Sequence, residues 1–600
     1  MNKIERIVEN DKNKEKYSVS IYYDIDFNKN IVNLELGNHS TNWPVTYVLY
    51  NKTESCAYVG ETTNFKNRML EHLETEKKSK FTKVLFVDYS KATKSTILYL
   101  EAFLIRVMSL SGEYFDELIN IKSNSNRHIY YNQENDIEMC KLVWNLFKDE
   151  IRIAKSYYDD ILLKNEFKYS PYIALNENQN EVLNDIIFDL ITKENNMIVV
   201  NGESGTGKTA VAIQLFKIMT EYSNLSTLVT EDMVGMNIDQ VNKIYKEFSN
   251  NDDKYKIAYV APMKNLCTII RKSIKKVSAL KKVDLENNNN AINEIDLENL
   301  RVYSGNDLCK MSNYVEKDKP LFDLIIVDEA HRLNRRYNLS NGNNYNHFDE
   351  MNEKLGLQCN KNKNDGNQLD WIIKMSKNQV FFYDNCQSIR SSDIPRECFD
   401  ETFKNATYKK LTIQERCSGG QDYISYIKSI FSSDPPKEKK IFNNYDFKMF
   451  NDFSEMKNFI NNKNDGKSLL ASGYFFSKSK KEKIDNVSLE WNSTDSDWVN
   501  KKGNENEIGC IHVLGGVDVD YLGIIIGSEI DYDAKMNKIV PVKDNYEDEV
   551  GKRCIQSDEE LVRYIENIYY ILLTRAIKGT YIYVINPEMK KYLNKYVAEV

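Results

Sequence analysis

Eight consecutive residues, Gly202, Glu203, Ser204, Gly205, Thr206, Gly207, Lys208 and Thr209, have the types and order that a phosphate-binding loop needs. The glycines let the backbone turn so that its N–H groups can surround anionic oxygens. Lys208 brings a cation to the β- and γ-phosphates, and the Thr209 hydroxyl can ligate Mg²⁺. A second chemical pair, Asp328 and Glu329, follows the apolar run LIIV in LIIVDEAHRL. Carboxylates at the C-terminal end of a buried parallel strand point into the crevice where a ligand binds. There Asp328 can hold Mg²⁺ and Glu329 can polarise an attacking water. Together these residues imply that the chain binds ATP with Mg²⁺ and hydrolyses it.

Such groups work only when rigid elements hold them. The run MIVV (197–200) reads as a short buried strand, and AVAIQLFKIM after the loop has helical spacing, so the context is strand, loop, helix. From about residue 171 onward strand-like runs alternate with helical ones. MIVVNGE, KIAYVAP, LIIVDEA and QVFFYD make one series, and ASGYFF, LGIIIGS and TYIYVIN make a second that begins near 401. Short buried strands separated by helices predict parallel-sheet α/β domains. Ahead of them, residues 1 to about 40 alternate around YSVSIYYDI and IVNLEL, a compact α/β stretch runs to about 135, and Ile137 to Leu163 reads as a helical connector. Two asparagine-rich stretches, 285–300 and 338–354, read as solvated surface loops.

Six hundred residues exceed what one core can hold. A hydrophobic fraction of 41% with 28% charged residues describes a globular chain rather than a disordered one. No apolar run approaches the ~20 residues of a membrane span, the N-terminus has no secretion signal, and the ten cysteines show no C-x-x-C pair. A cytoplasmic protein without a membrane partner is expected. The net charge of −8 argues against nonspecific coating of DNA but leaves room for a local basic groove.

The nucleotide motifs lie in an order that resembles a superfamily 1 helicase over roughly 170–590. Gln179 in LNENQNEVL looks like that family's adenine-reading glutamine, and VAPMKNL (260–266) is similar to the motif that contacts the nucleic-acid backbone. FYDNCQSIR looks like the third motif, with Asp384 and Gln387 linking the γ-phosphate to the strand-binding groove. LTIQERC resembles the fourth and puts Arg416 forward as a γ-phosphate arginine. NIYYILLTRAIKG resembles the sixth, with Arg575 as a second arginine finger. IGCIHVLGGVDVDYLGIIIG resembles the fifth, with Gly515-Gly516 and Val517-Asp518 where the family has Gln-Gly and Leu-Glu; Tyr570 stands where an arginine is frequent. These departures imply weaker coupling between nucleotide and strand.

By arrangement the chain resembles a bacterial family of DNA/RNA helicases related to the Schlafen-type core, whose members often carry a GIY-YIG nuclease module in front. Tyr47 in VTYVLY and Tyr58 in AYVGETTN, separated by the turn NKTESC, are similar to that nuclease core. Arg68 and His72 fall on one face of NFKNRMLEHL at i and i+4, and Glu101 lies in the helical run ILYLEAFLIRVM. The resemblance implies Glu101 as the metal ligand for Mg²⁺ or Mn²⁺, and Tyr47 or Tyr58 to position or deprotonate water. Arg68 would stabilise charge on the scissile phosphate, with His72 in support. Asn120, Asn126 and Asn132 compete for the family's terminal asparagine. In a chain with 39 tyrosines a tyrosine pair at this distance arises easily, so the five-part order carries the likeness.

The expected fold class is α/β, a small GIY-YIG domain followed by two RecA-like parallel-sheet domains. The expected division is a β element at 1–40, the nuclease-like domain at 41–135, the connector at 136–170, and RecA-like domains at 171–400 and 401–600. The reading that follows is an ATP-dependent translocase or helicase on DNA or RNA coupled to a metal-dependent endonuclease. Its biological role would be bacterial defence against phage or foreign DNA, working as a homo-oligomer or with a defence-system partner protein. The rival reading is a nucleotide-dependent sensor that closes on nucleic acid without unwinding it.

Overall fold

The computed structural model describes residues 1–9, 16–33, 42–75, 78, 80–109, 115, 117–118, 133–162, 167, 169–170, 175–192, 196–224, 256–275, 302–339, 342–357, 366–384, 387–463, 466–475, 482–485, 487–493, 498–501, 503–514, 519–553, 555 and 557–600. The chain divides into two compact units. One holds Met1–Thr192 with Ala210–Tyr255 and Thr268–Arg301, the other Lys193–Thr209, Lys256–Cys267 and Val302–Val600. Gly515, Gly516, Val517 and Asp518 lie outside the described residues, as do Asn120, Asn126, Asn132 and the stretch 285–300.

In the first unit, β1 (Asn2–Glu9), β2 (Lys16–Asp26), β3 (Val45–Asn51), β4 (Cys56–Thr62), β5 (Lys83–Tyr89) and β6 (Glu117–Leu118) form one sheet in the order β1-β2-β5-β3-β4-β6. β2 pairs directly with β5, so the N-terminal strands continue the sheet that holds Tyr47 and Tyr58. Lys29–Asn33, which takes in the first three residues of IVNLEL, forms a 3₁₀ turn, and the rest of that run lies outside the described residues. β3 is buried throughout, as its apolar run predicts. The helix Phe65–Leu73 is capped by Asn64, whose side chain accepts from the Asn67 N–H. The helix Lys94–Met108 is capped by Thr93 and packs on β3 and β4 through a stripe that includes Ile97, Leu100, Glu101 and Leu104. The connector is helical at Gln133–Leu146 and Tyr158–Leu162.

The second unit carries two parallel sheets. β7 (Met197–Gly202), β8 (Ile257–Val260), β9 (Val302–Tyr303), β10 (Phe322–Val327), β11 (Ser376–Tyr383) and β12 (Thr407–Leu411) form the first, in the order β12-β7-β11-β10-β8-β9. Among the described residues every pairing along it is parallel; β7, β8, β10 and β11 are largely buried apolar runs, as a sheet covered on both faces requires, while the edge strand β12 is half exposed. β12 hydrogen-bonds β7, so this sheet extends to Leu411. The remaining strands are β13 (Asp446–Met449), β14 (Ser468–Ser472), β15 (Glu482–Ile484), β16 (Val487–Trp491), β17 (Glu507–Ile508), β18 (Val519–Ile526), β19 (Ile530–Asp533), β20 (Lys538–Pro541), β21 (Ala576–Val584) and β22 (Ala598–Glu599). β14-β18-β21-β13-β22 make the second parallel sheet. The fold is α/β, a small mixed-sheet domain with two RecA-like parallel-sheet cores.

The stretch 338–354 corrects the expectation of a solvated loop, because Gly342–Lys354 is a helix that buries Phe348 and Met351. Phe348 lies 4.4 Å from Trp371 between ring centroids, and Trp371 Nε1 donates to Asn352 Oδ1 at 2.6 Å. Two well-placed apolar residues outweigh the asparagines' preference for turns. Among the described residues no helix is long and apolar enough to cross a membrane.

Candidate ATPase and nuclease sites

The phosphate loop follows directly from β7. Gly205 and Gly207 have φ of +86° and +81°, the left-handed region that a side chain resists. Gly205 has a second constraint, since a Cβ there would run into the Gln414 amide. Lys208 is nearly buried, and its Nζ donates to the carbonyls of Gly202 at 2.7 Å and Glu203 at 3.1 Å and lies 3.4 Å from Asp384 Oδ2. Gln387 Nε2 donates to the same Asp384 oxygen at 2.5 Å. Lys208, Asp384 and Gln387 thus form one buried chain joining the loop to the end of β11.

Asp328 and Glu329 end β10, the second parallel neighbour of β7 through β11. Asp328 is fully buried; Oδ2 accepts from the Tyr259 hydroxyl at 2.9 Å and Oδ1 from the Glu329 N–H at 3.0 Å. Burial, then the Glu329 charge, raises the Asp328 carboxyl to about 6 against the pull of Thr209, Tyr259 and Lys208. Burial also works against the Glu329 carboxylate, but His331, Lys208 and Arg332 outweigh it and hold the group well below its usual range. His331 Nε2 lies 2.9 Å from Glu329 Oε2. Glu329 has φ +52°, a strained conformation for a residue with a Cβ and one met at functional sites. One carboxylate beside one hydroxyl suits a hard divalent cation that completes its shell with phosphate oxygens and water. Among the described residues no cluster of three His, Cys, Asp or Glu side chains forms a cage.

The segment after β12 sits on this loop. Gln414 Nε2 donates to the Ser204 carbonyl at 2.5 Å, Arg416 Nη1 to Ser204 Oγ at 2.8 Å, and the Glu415 N–H to the Gly205 carbonyl at 3.0 Å. Gln421 Nε2 donates to Glu203 Oε2 at 2.6 Å. Arg416 is therefore brought to the loop. Arg575, also buried, donates instead to the Leu514 carbonyl at 2.5 Å, within the second core. Gln179 belongs to the first unit, where it closes a capping box: its N–H donates to Asn176 Oδ1 and its Oε1 accepts from the Asn176 N–H. Tyr259, whose hydroxyl holds Asp328, carries no motif signature; its place in the apolar run IAYV gave no sign that the hydroxyl faces the carboxylate.

In the first unit, Tyr47, Tyr58, Arg68, His72 and Glu101 converge. Tyr47 Oη is 2.6 Å from His72 Nε2, and the His72 ring centroid lies 5.6 Å from that of Tyr47 and 5.5 Å from that of Tyr58. Arg68 pairs with Glu71 at 2.7 Å, and its charge acts on both phenols. Gly60 pairs with Tyr47 across β3 and β4, and a Cβ on it would collide with the Tyr47 phenol; this is why the second element ends in glycine. Burial, then Tyr58, pushes the Tyr47 phenol well above its usual value, and burial, then the Glu101 carboxylate, raises Tyr58. Burial, with the Lys78 and Arg68 charges, lowers His72 to about 3, so its imidazole is neutral. Glu101 is 8% exposed on the buried stripe of its helix, a position where a carboxylate suits a cation brought in with substrate. Lys78 is the residue that sequence patterns did not single out. Its Nζ is 3.0 Å from His72 Nδ1 and 3.2 Å from the Tyr58 ring centroid, and burial, then Arg68, lowers it to about 7.

Comparison with known proteins matches the two regions of chain that hold these residues. The family described as Schlafen group 3, DNA/RNA helicase domain, matches residues 195–586, and the GIY-YIG catalytic domain matches residues 44–108. An uncharacterized protein of Saccharomyces cerevisiae is 24% identical over 441 residues, covering 66% of this chain and 83% of its own length. Among solved structures, S. cerevisiae Dbp5 bound to RNA and ADP BeF3 is similar at 12% identity and a TM-score of 0.29, covering 74% of this chain and 96% of its own. A structure of two coordinating Pif1 helicases unwinding forked duplex DNA is similar at 10% identity and a TM-score of 0.24, covering 68% and 92%. The chain belongs to the Schlafen group 3 DNA/RNA helicase family and carries a GIY-YIG catalytic domain ahead of that core, an ATPase/helicase and a nuclease in one polypeptide.

Proposed function

We propose that this chain is an ATP-driven translocase that delivers or licenses cleavage of DNA or RNA by its GIY-YIG domain, and that it acts in the cytoplasm in defence against phage or foreign DNA. In this reading the cleaving domain is 41–135 and the β element at 1–40 extends its sheet. The connector is 136–170, and the motor cores occupy 171–400 and 401–600, with β12 held in the first. A homo-oligomer or a defence partner protein would complete the system.

The observation that carries the motor reading is the seating of Gln414 and Arg416 on Ser204 of the phosphate loop. Arg416 precedes Cys417, which packs in the second core's hydrophobic cluster. A γ-phosphate bound at the loop would therefore be read by the second core, and its loss on hydrolysis would be felt there. In the site, Lys208 would neutralise the phosphates, Thr209 and Asp328 would hold Mg²⁺, and Glu329 would aim the water. The lowered Glu329 pKa keeps the carboxylate ionised for that task. Gln179 would contact adenine through its amide, and Arg575 would act as a second finger once the cleft rearranges. In the nuclease, Glu101 would hold Mg²⁺ or Mn²⁺ while Arg68 faces the scissile phosphate.

Arg416→Ala is expected to lower ATP turnover by ~10²-fold or more, the order of a lost finger, with little change in nucleotide affinity. Steady-state turnover and titration of a fluorescent ATP analogue check this; a loss of only twofold would make the contact structural. The whole reading is tested by incubating the full chain with plasmid, single-stranded DNA and RNA, with and without ATP and Mg²⁺ or Mn²⁺. Cleavage that needs metal and is enhanced by ATP supports it. ATP turnover stimulated by nucleic acid without cleavage or strand displacement would favour the sensor.

A further inference from the structure

Gln414, two residues ahead of Arg416, offers its amide to two parts of the chain at once. Its Oε1 accepts from the Arg416 N–H at 2.8 Å and from the Cys417 N–H at 3.4 Å, while its Nε2 donates to the Ser204 carbonyl at 2.5 Å. Two N–H donors at one end and a carbonyl at the other admit a single orientation of the amide. The side chain lies directly against the loop backbone, since a Cβ on Gly205 would fall 2.1 Å from Gln414 Oε1. Next to it the Glu415 N–H donates to the Gly205 carbonyl at 3.0 Å, a bond between main-chain atoms that no side-chain substitution removes. Arg416 reaches Ser204 Oγ at 2.8 Å through its guanidinium. A long, flexible side chain puts its head group in one place only when its own backbone is fixed, and Gln414 is the side chain that ties the Arg416 backbone to the loop.

We propose that Gln414 is a positioning residue for ATP hydrolysis, which sets the reach of the Arg416 guanidinium by fastening the Arg416 backbone to the Ser204 carbonyl. The proposal rests on the reading of Arg416 as a γ-phosphate arginine and adds the group that places it. Both ends of the Gln414 amide bond to main-chain atoms, so its influence passes through the backbone to Arg416. Without the amide, the turn at Arg416 and Cys417 loses its acceptor and the Ser204 carbonyl loses this donor. The arginine then sits on a looser base, and a misplacement of about 1 Å in a group that acts on the transition state costs about 10²-fold in rate. Lys208 and the positive-φ glycines keep their own constraints, so the ground-state hold on nucleotide stays. The loss therefore falls on kcat.

The test compares the full chain with two variants. Gln414→Met keeps the length of the side chain and loses both bonds; Gln414→Glu can still accept from Arg416 and Cys417 but cannot donate to Ser204. ATP turnover is measured with single-stranded DNA and with RNA present, alongside a thermal melt. Both variants are expected to lose about 10²-fold in kcat, and Gln414→Met should keep KM and its affinity for a fluorescent ATP analogue within about twofold of wild type. Added to Arg416→Ala, Gln414→Met should cost nothing further, because a group that acts through Arg416 then has nothing left to place. A near-normal kcat in Gln414→Glu beside an impaired Gln414→Met would put the whole effect in the turn and overturn the link to the loop. A loss that multiplies with that of Arg416→Ala, or a rise in KM alone in Gln414→Met, overturns the placement of Arg416. Normal turnover in Arg416→Ala would remove the arginine reading and this proposal together, whereas an impaired Arg416→Ala beside an unimpaired Gln414→Met removes only the proposal. Should Gln414→Met fail to melt cooperatively, Gln414→Ala takes its place in every comparison.

Discussion

ATP turnover by Lys208→Ala is expected to fall to background, a loss of about 10³-fold or more, on the scale of a cation removed from a transferring phosphoryl group. The ammonium rests on the carbonyls of Gly202 and Glu203 and faces Asp384, so it is already held where β- and γ-phosphates would arrive. Its removal also leaves Asp384 buried opposite no cation, and a modest loss of thermal stability should accompany the kinetic defect. Glu329→Gln separates binding from chemistry. Asp328 and Thr209 remain to hold Mg²⁺, so the variant should bind ATP at near-normal affinity yet not turn it over. Turnover assays with a thermal melt for each variant check both outcomes. Near-normal turnover in a folded Lys208→Ala protein would remove the ATPase assignment from this loop.

Glu101→Gln should abolish metal-dependent cleavage, a drop of about 10²–10⁴-fold, because the amide keeps the shape but cannot hold a cation that activates water. ATP turnover should be unchanged, since Glu101 lies in the first unit and Lys208, Asp328 and Glu329 in the second. The carboxylate is almost wholly buried on the packing stripe of its helix, so neutralising it should leave the melting temperature the same or raise it. Loss of cleavage without loss of stability separates a metal ligand from a packing residue. Wild-type cleavage by the variant would show that the site is organised around other groups.

The parts legible in the sequence are those where one residue type has one physical use. Gly205 and Gly207 adopt the positive φ that the loop requires, and the apolar runs at 197–200 and 324–327 become central strands. The order of Tyr47, Tyr58, Arg68, His72 and Glu101 singled them out, and the fold sets Tyr47, Tyr58 and His72 against one another. What escaped notice acts through residues with many uses. Lys78 is one of the chain's many lysines, and only the fold places it between His72 and Tyr58. Tyr259 reads as a strand residue, and its hydroxyl matters only because β8 lies beside β10. Gln179 was singled out by a family pattern, and its capping bond with Asn176, three residues back, is a local feature that pattern does not contain. The helix Gly342–Lys354 was masked by asparagines, whose turn preference is a weak prior against two buried side chains.

The pairing of β12 with β7 has a mechanical consequence. Because Leu411 is fastened to Gly202 and Cys417 is already embedded in the second core, little more than Thr412–Arg416 is left to bend between them. A joint that short cannot act as a slack tether. Any rotation of the second core would be absorbed in a few backbone torsions next to the phosphate loop, which makes the joint a stiff, short-armed lever pivoted on that loop.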